Sequence, residues 1–212
     1  MILFLKEIRL NQGRSITRIG TILIPLLFLV FSLNARSETS DQVVKNVAEN
    51  LINQVKTDKS LSGNKPKIAE MVDREVTPYI DFNSICTRSL GKSIAMLDDA
   101  QKTEYTGLCK KIIINTYSIG LTDFKNIAVK VLPPKVQANG DELVNTIVSQ
   151  DGEDDIHVDF LMHNTANGWI AEEFHIDGIS IVSNLFNQFH AMLVQDGAVQ
   201  FIEHLKSKLT KN

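Results

Sequence analysis

The six residues from Glu172 to Asp177 hold three carboxylates and one imidazole, and the segment before them adds His157 and Asp159. These side-chain types build metal sites and acid–base pairs. Whether they meet depends on strand register. Alternation places Ile170, Glu172, Phe174 and Ile176 on one face, and Trp169, Ala171, Glu173, His175 and Asp177 on the other. In the preceding segment Ile156, Val158, Phe160 and Met162 alternate with His157, Asp159, Leu161 and His163. Matching the apolar faces around a turn centred near Ala166 predicts His157 opposite His175, and Asp159 opposite Glu173. A periplasmic metal-dependent or acid–base hydrolase would use those four residues. The same pattern describes the solvent face of a half-covered sheet, where polar residues belong. That reading is preferred, because only an inferred register gathers the four. No serine sits in a Gly-x-Ser-x-Gly turn, and no zinc-type cysteine spacing or phosphate-cradling glycine loop occurs. No catalytic residue, metal ligand or cofactor is therefore assigned.

The elements that position these residues follow from period and punctuation. Residues 38–121 read as helical. Ser40 is placed to cap a helix with the stripe Val44, Val47, Leu51 and Val55. Pro66 suits the first turn of a second helix, which must end before Pro78. Asp81 can cap the segment carrying Phe82, Ile85 and Leu90. Asp98 and Gln101 have the spacing of a capping box before a long helix. From residue 126 the period becomes two. "NIAVKVL", "ELVNTIVSQ", "DIHVDFLMH" and "GWIAEEFHI" read as a four-stranded antiparallel meander, separated by Gly- and Asn-rich turns. Asp177-Gly178 reads as the strand-to-helix corner, with Ser180 and Asn184 as candidate caps. Two closing helices span roughly 180–194 and 196–209, the second capped by Asp196 with the stripe Val199, Ile202, Leu205 and Leu209. Helices on one face of an antiparallel sheet make an α+β fold.

The chain has 212 residues, enough for one domain with a core. Arg14 and Arg18 precede the apolar run Ile19 to Leu33 and then "NARSE", the order of a signal peptide. The run is short for a membrane span, which needs about 20 residues, and Pro25 interrupts it. Residues 1–37 are expected to be removed after Ser37, or alternatively after Ala35, leaving a single domain over 38–212. Losing five basic residues and one acidic residue leaves 17 basic and 24 acidic, a net charge of −7. That balance disfavours nucleic acid and anionic lipid surfaces as partners. Cys86 and Cys109 flank a helical turn near Leu97–Asp98 at similar distances. An exported pair fits either a disulfide or two small buried side chains.

"GWIAEEFHIDGISIVSNLFNQF" resembles the closing signature of the Mla-type periplasmic phospholipid carriers, the toluene-tolerance auxiliary family. The corresponding residues are Trp169, Glu173, Asp177, Gly178, Ser180, Val182, Asn184, Gln188 and Phe189. "PYIDF", Leu90-Gly91, Gln101 and Thr116-Tyr117 match upstream, so the resemblance spans roughly 41–209. The chain departs from the pattern at Ile94, Glu172 and Leu185-Phe186, and the cysteines lie outside it. The resemblance implies a non-enzymatic soluble carrier that needs no cofactor and is loaded with phospholipid as cargo. Its implied partners are an outer-membrane lipoprotein complex and an inner-membrane ABC transporter with an MCE subunit, met as a monomer in the periplasm. With the apolar sheet face, it implies a cavity lined by Phe160, Met162, Phe174 and Ile176, facing Ile85, Leu108, Ile112, Val182 and Phe186. A non-catalytic adaptor with a filled core is the other alternative.

Overall fold

The computed structural model describes residues 38–121 and 126–210. The signal peptide expected over residues 1–37 lies outside them. Helix α1 (Ser40–Thr57) is followed by α2 (Lys65–Val76), α3 (Phe82–Arg88) and α4 (Asp99–Ser118). Strands β1 (Ala128–Val131), β2 (Lys135–Val136), β3 (Glu142–Ser149), β4 (Ile156–Thr165), β5 (Gly168–Ile176) and β6 (Ile179–Ser180) come next, and α5 (Ile181–Thr210) closes the chain.

The helix starts follow local chemistry. Asn64 and Asp81 accept from Lys67 N–H and Ser84 N–H, capping α2 and α3. Asp98 accepts from Gln101 N–H at 2.8 Å while Gln101 Oε1 accepts from Asp98 N–H at 3.0 Å, a complete capping box on α4. Ser40 does not cap α1. Thr39 is the N-cap, with its N–H bonded to Gln42 Oε1. Ser40 is instead fully buried and donates its hydroxyl to Glu142 on β3.

The sheet is antiparallel in the order β1-β3-β4-β5-β6, with β2 also paired to β3. Four strands match the meander read from the sequence, and two short ones are additions. Pro133 and Pro134 have no N–H to donate, so the edge strand breaks into β1 and β2. Asp177 and Gly178 both take positive φ (47° and 77°), the geometry of a tight hairpin turn. They pair Ile176 with Ile179 before the helix begins, so this corner is a strand-to-strand turn.

The largest core gathers α3, α4 and α5 around Tyr105, Phe189 and Phe201. The Cys86–Cys109 disulfide lies inside it, with Cα atoms 6.1 Å apart and both residues fully buried. Burial pushes the Tyr105 phenol well above its usual range. It stays neutral, donating to Cys86 C=O at 3.1 Å and sharing a 2.6 Å hydrogen bond with Ser89. The two closing helices form one run broken at Gly197, whose φ of 76° and ψ of 168° are not helical. The break falls one residue after the expected cap, and Asp196 faces His204 Nδ1 at 3.3 Å. The buried stripe shifts with it: Phe201, Ile202 and Leu205 are buried, whereas Val199 is 66% exposed.

At the start of β3, buried Asp141 accepts from Asn139 Nδ2 and lies 2.7 Å from His163 Nδ1. The hydrogen bond to Asp141 raises the His163 pKa, and the bond from His163 lowers that of Asp141. The raised imidazole stabilises the fold fully below its unfolded value of about 6.5, and this is lost as pH rises through the folded value. The lowered carboxyl contributes fully above about 3.9 and is lost as pH falls through its folded value. The pair is therefore strongest between about pH 4 and 6.5. Urea midpoints measured from pH 5 to 9 should fall on the alkaline side in the wild type, and less in His163→Gln. Parallel pH profiles for the two proteins would show that the pair carries no stability.

Candidate functional site

On the inner sheet face, β3 presents Val144, Thr146 and Val148, and β4 presents Val158, Phe160 and Met162. Opposite them α1 presents Val43, Val44, Val47, Ala48 and Leu51, one helical face by their spacing. A cavity of about 160 Å³ remains between the two layers. Val129, Val76, Tyr79, Ile80 and Ala171 complete its wall. Thr146 and Tyr79 are its hydroxyl-bearing wall residues, and the Thr146 hydroxyl donates to Val158 C=O at 2.6 Å. The α1 residues facing the sheet are mostly valines and an alanine, too small to fill the gap. The helix is held near its ends by Ser40 on Glu142 and by Lys56 Nζ, which donates to Ile127 C=O at 3.3 Å. The space can hold apolar matter and offers no reacting group.

Of the nine residues expected to line a cavity, Phe160 and Met162 border this one. Ile85, Leu108, Ile112, Phe174, Ile176 and Val182 belong to the packed helical core or lie against it. Phe174 contacts both sides: its ring lies 6.3 Å from Phe160 and 5.9 Å from Tyr117. Phe186 is 36% exposed, stacks on His190 with ring centroids 4.7 Å apart, and covers Gly91, where a Cβ would come within 3.2 Å of its ring. The valines of α1 and Tyr79 were missed. The signal for the valines was the α1 stripe itself, which any buried amphipathic helix shares.

The acidic stretch is arranged differently from the expected register. The β4–β5 turn pairs Thr165 with Gly168, and a bulge shifts the pairing between Leu161 and Met162. Glu172 is the extra residue. Asp159 consequently lies opposite His175 and Leu161 opposite Glu173, while Ala171 joins the buried apolar side opposite Met162. His157 and His175 are not opposed. Asp159 is engaged with Asn145 Nδ2 at 2.6 Å. Among the described residues no group of three or more His, Cys, Asp or Glu side chains could hold a metal ion.

Glu173 does not face solvent. It is 7% exposed, and Oε1 accepts from Val182 N–H at 3.2 Å while Oε2 accepts from Ser180 Oγ. Ser180 Oγ accepts in turn from Ser183 N–H, so it caps α5, and Arg88 lies 4.0 Å from the carboxylate. A carboxylate at the first turn of a helix satisfies open N–H groups and matches the helix dipole. Asn184, the other candidate cap, instead donates to the Tyr117 hydroxyl at 3.2 Å. Glu173→Ala should lower stability by about 1–3 kcal/mol, read from the urea midpoint, because buried N–H groups lose their acceptor. An unchanged midpoint would show that water replaces the carboxylate freely.

A second recess of about 370 Å³ shares Val43 and Tyr79 with the apolar cavity. It is bounded by Glu38, Pro78 and the β4–β5 hairpin residues Asn164, Asn167, Gly168, Trp169 and Ile170. No helix among the described residues is long and apolar enough to cross a membrane.

A solved phospholipid-binding protein from Ralstonia solanacearum, in complex with a phospholipid, is 25% identical with a TM-score of 0.71. The match covers 79% of this chain and 97% of that one. No curated protein matches the chain. The family model described as MlaC protein matches residues 45–207, which include α2 to α4, the whole sheet and most of α1 and α5. The chain belongs to the MlaC family.

Proposed function

We propose that this protein is a periplasmic phospholipid carrier that holds acyl chain between α1 and the sheet. The observation that carries the reading is the apolar cavity under α1 in a chain of the MlaC family. A lipid needs such a space because each buried CH₂ is worth about 0.8 kcal/mol, which makes escape of free lipid into water very slow. No bond is made or broken, and the cargo needs no cofactor. The hydrolase alternative loses its support, since Glu173 is occupied at α5 and the two histidines are not opposed.

The cavity of about 160 Å³ is smaller than the roughly 300–1,000 Å³ usual for ligand pockets. Loading therefore widens it. In our reading α1 moves off the sheet, since of its eighteen residues only Ser40, Val43 and Val44 are buried. The Phe160–Phe174 ring contact forms the partition toward Ile176, Val182, Ile112, Ile85, Leu108 and Phe186. Opening that partition would extend the lipid site to the remaining residues of the sequence reading. The signal peptide over 1–37 directs export, and the mature domain begins at Glu38. The carrier then moves lipid between an outer-membrane lipoprotein complex and an inner-membrane ABC transporter with an MCE subunit. A net-negative surface lets it leave anionic membranes readily.

Mass spectrometry of organic extracts tests the reading. Protein purified from a membrane-containing host should carry phospholipid in near-stoichiometric amount. Lipid-free protein from such a host would overturn the carrier function.

A further inference from the structure

The recess beside the apolar cavity differs from it in chemistry. Glu38 and the side-chain amides of Asn164 and Asn167 supply polar atoms, while Trp169 and Tyr79 supply aromatic surface. Trp169 is half-buried against the cluster under α1, which anchors its ring. The amides of Asn164 and Asn167 make no hydrogen bond to the described residues, so both are free to donate. Glu38 Oε1 accepts from Asn46 Nδ2, which fixes the carboxylate at the rim. Among the described residues no Lys, Arg or His lines the recess. Sites that select anionic groups carry such cations, above all Arg. A carboxylate beside aromatic faces suits an ammonium group, and neutral amides suit phosphate and ester oxygens without adding charge.

The recess and the cavity meet at Val43 and Tyr79. A lipid with acyl chain under α1 would bring its headgroup there. We propose that this recess reads the headgroup, and that it selects zwitterionic phospholipids bearing an amine or quaternary ammonium over anionic ones. The proposal rests on the carrier reading above.

The test uses the exported protein made from the full chain. It is equilibrated with excess vesicles equimolar in dioleoyl phosphatidylethanolamine, phosphatidylcholine and phosphatidylglycerol, and the bound lipids are extracted and quantified. Each amine-bearing lipid should exceed phosphatidylglycerol by about fivefold, the selectivity of one cation–π contact with a neighbouring carboxylate. Glu38→Gln and, separately, Trp169→Leu should bring that ratio to within about twofold of unity. Because Glu38 is exposed, its substitution remains informative if Trp169→Leu fails to fold. Equal binding of all three lipids by the wild type would overturn headgroup selection and leave the carrier reading standing. Binding of none would overturn both. A preference for phosphatidylglycerol would also overturn it, and is the result expected if a new amino terminus at Glu38 governs the mouth instead of its carboxylate.

Discussion

Val47→Trp protein is expected to fold and to purify with at least about tenfold less phospholipid than the wild type. Val47 is half-buried on α1 and faces the cavity. The space beside it is empty of protein, so an indole can enter without displacing packed side chains. It would then occupy volume that acyl chain needs. A loss of only about 1.4 kcal/mol in lipid affinity gives the tenfold effect. Ile112→Trp is the matched comparison. Ile112 is 4% exposed within the helical core, where overpacking costs about 1–3 kcal/mol. Measuring both the lipid content and the urea midpoint of each variant separates the possibilities. If Val47→Trp keeps its lipid while Ile112→Trp loses it and stays folded, the acyl chain lies between α4 and the sheet and not under α1.

Removing the disulfide should have the largest effect on stability. The double variant Cys86→Ala, Cys109→Ala is expected to lose about 3 kcal/mol of unfolding free energy. The bond joins α3 to α4 across 23 positions of chain, and a closed loop of that length restricts the unfolded ensemble by about this amount. For a domain of this size the loss corresponds to roughly 6–12 °C in Tm. Both residues are fully buried beneath Tyr105, so reductant should act on the native protein only as fast as it opens. Thermal melts of the oxidised wild type, reduced wild type and double variant provide the measurement. Three coincident melting curves would show that the cross-link adds nothing to the packing around it.

What the sequence by itself determined was mostly local. The Asp81 and Asp98 caps depend on hydrogen bonds three residues away, and both formed as read. The four long strands were visible because alternation of apolar and polar residues is a property of the strand alone. The residues that carry the family resemblance contact one another here: Glu173 with Ser180 and Val182, and Tyr117 with Asn184. The sequence left the cysteines as either a disulfide or an unbonded pair, since Cβ directions depend on how α3 and α4 dock.

The tertiary structure decided the rest. One extra residue, Glu172, shifts the pairing along β5 and sends Ala171 inward, opposite Met162. A bulge has no signature in alternation, and a shift of one residue changes which side chains share a face. Likewise Val44 and Val47 look no different from core residues in the stripe of α1. Whether such a stripe covers a filled core or an empty space depends on how closely two layers approach. That distance is set by all the side chains between the layers and by the contacts holding Ser40 and Lys56 at the two ends of the helix, not by any residue's own pattern.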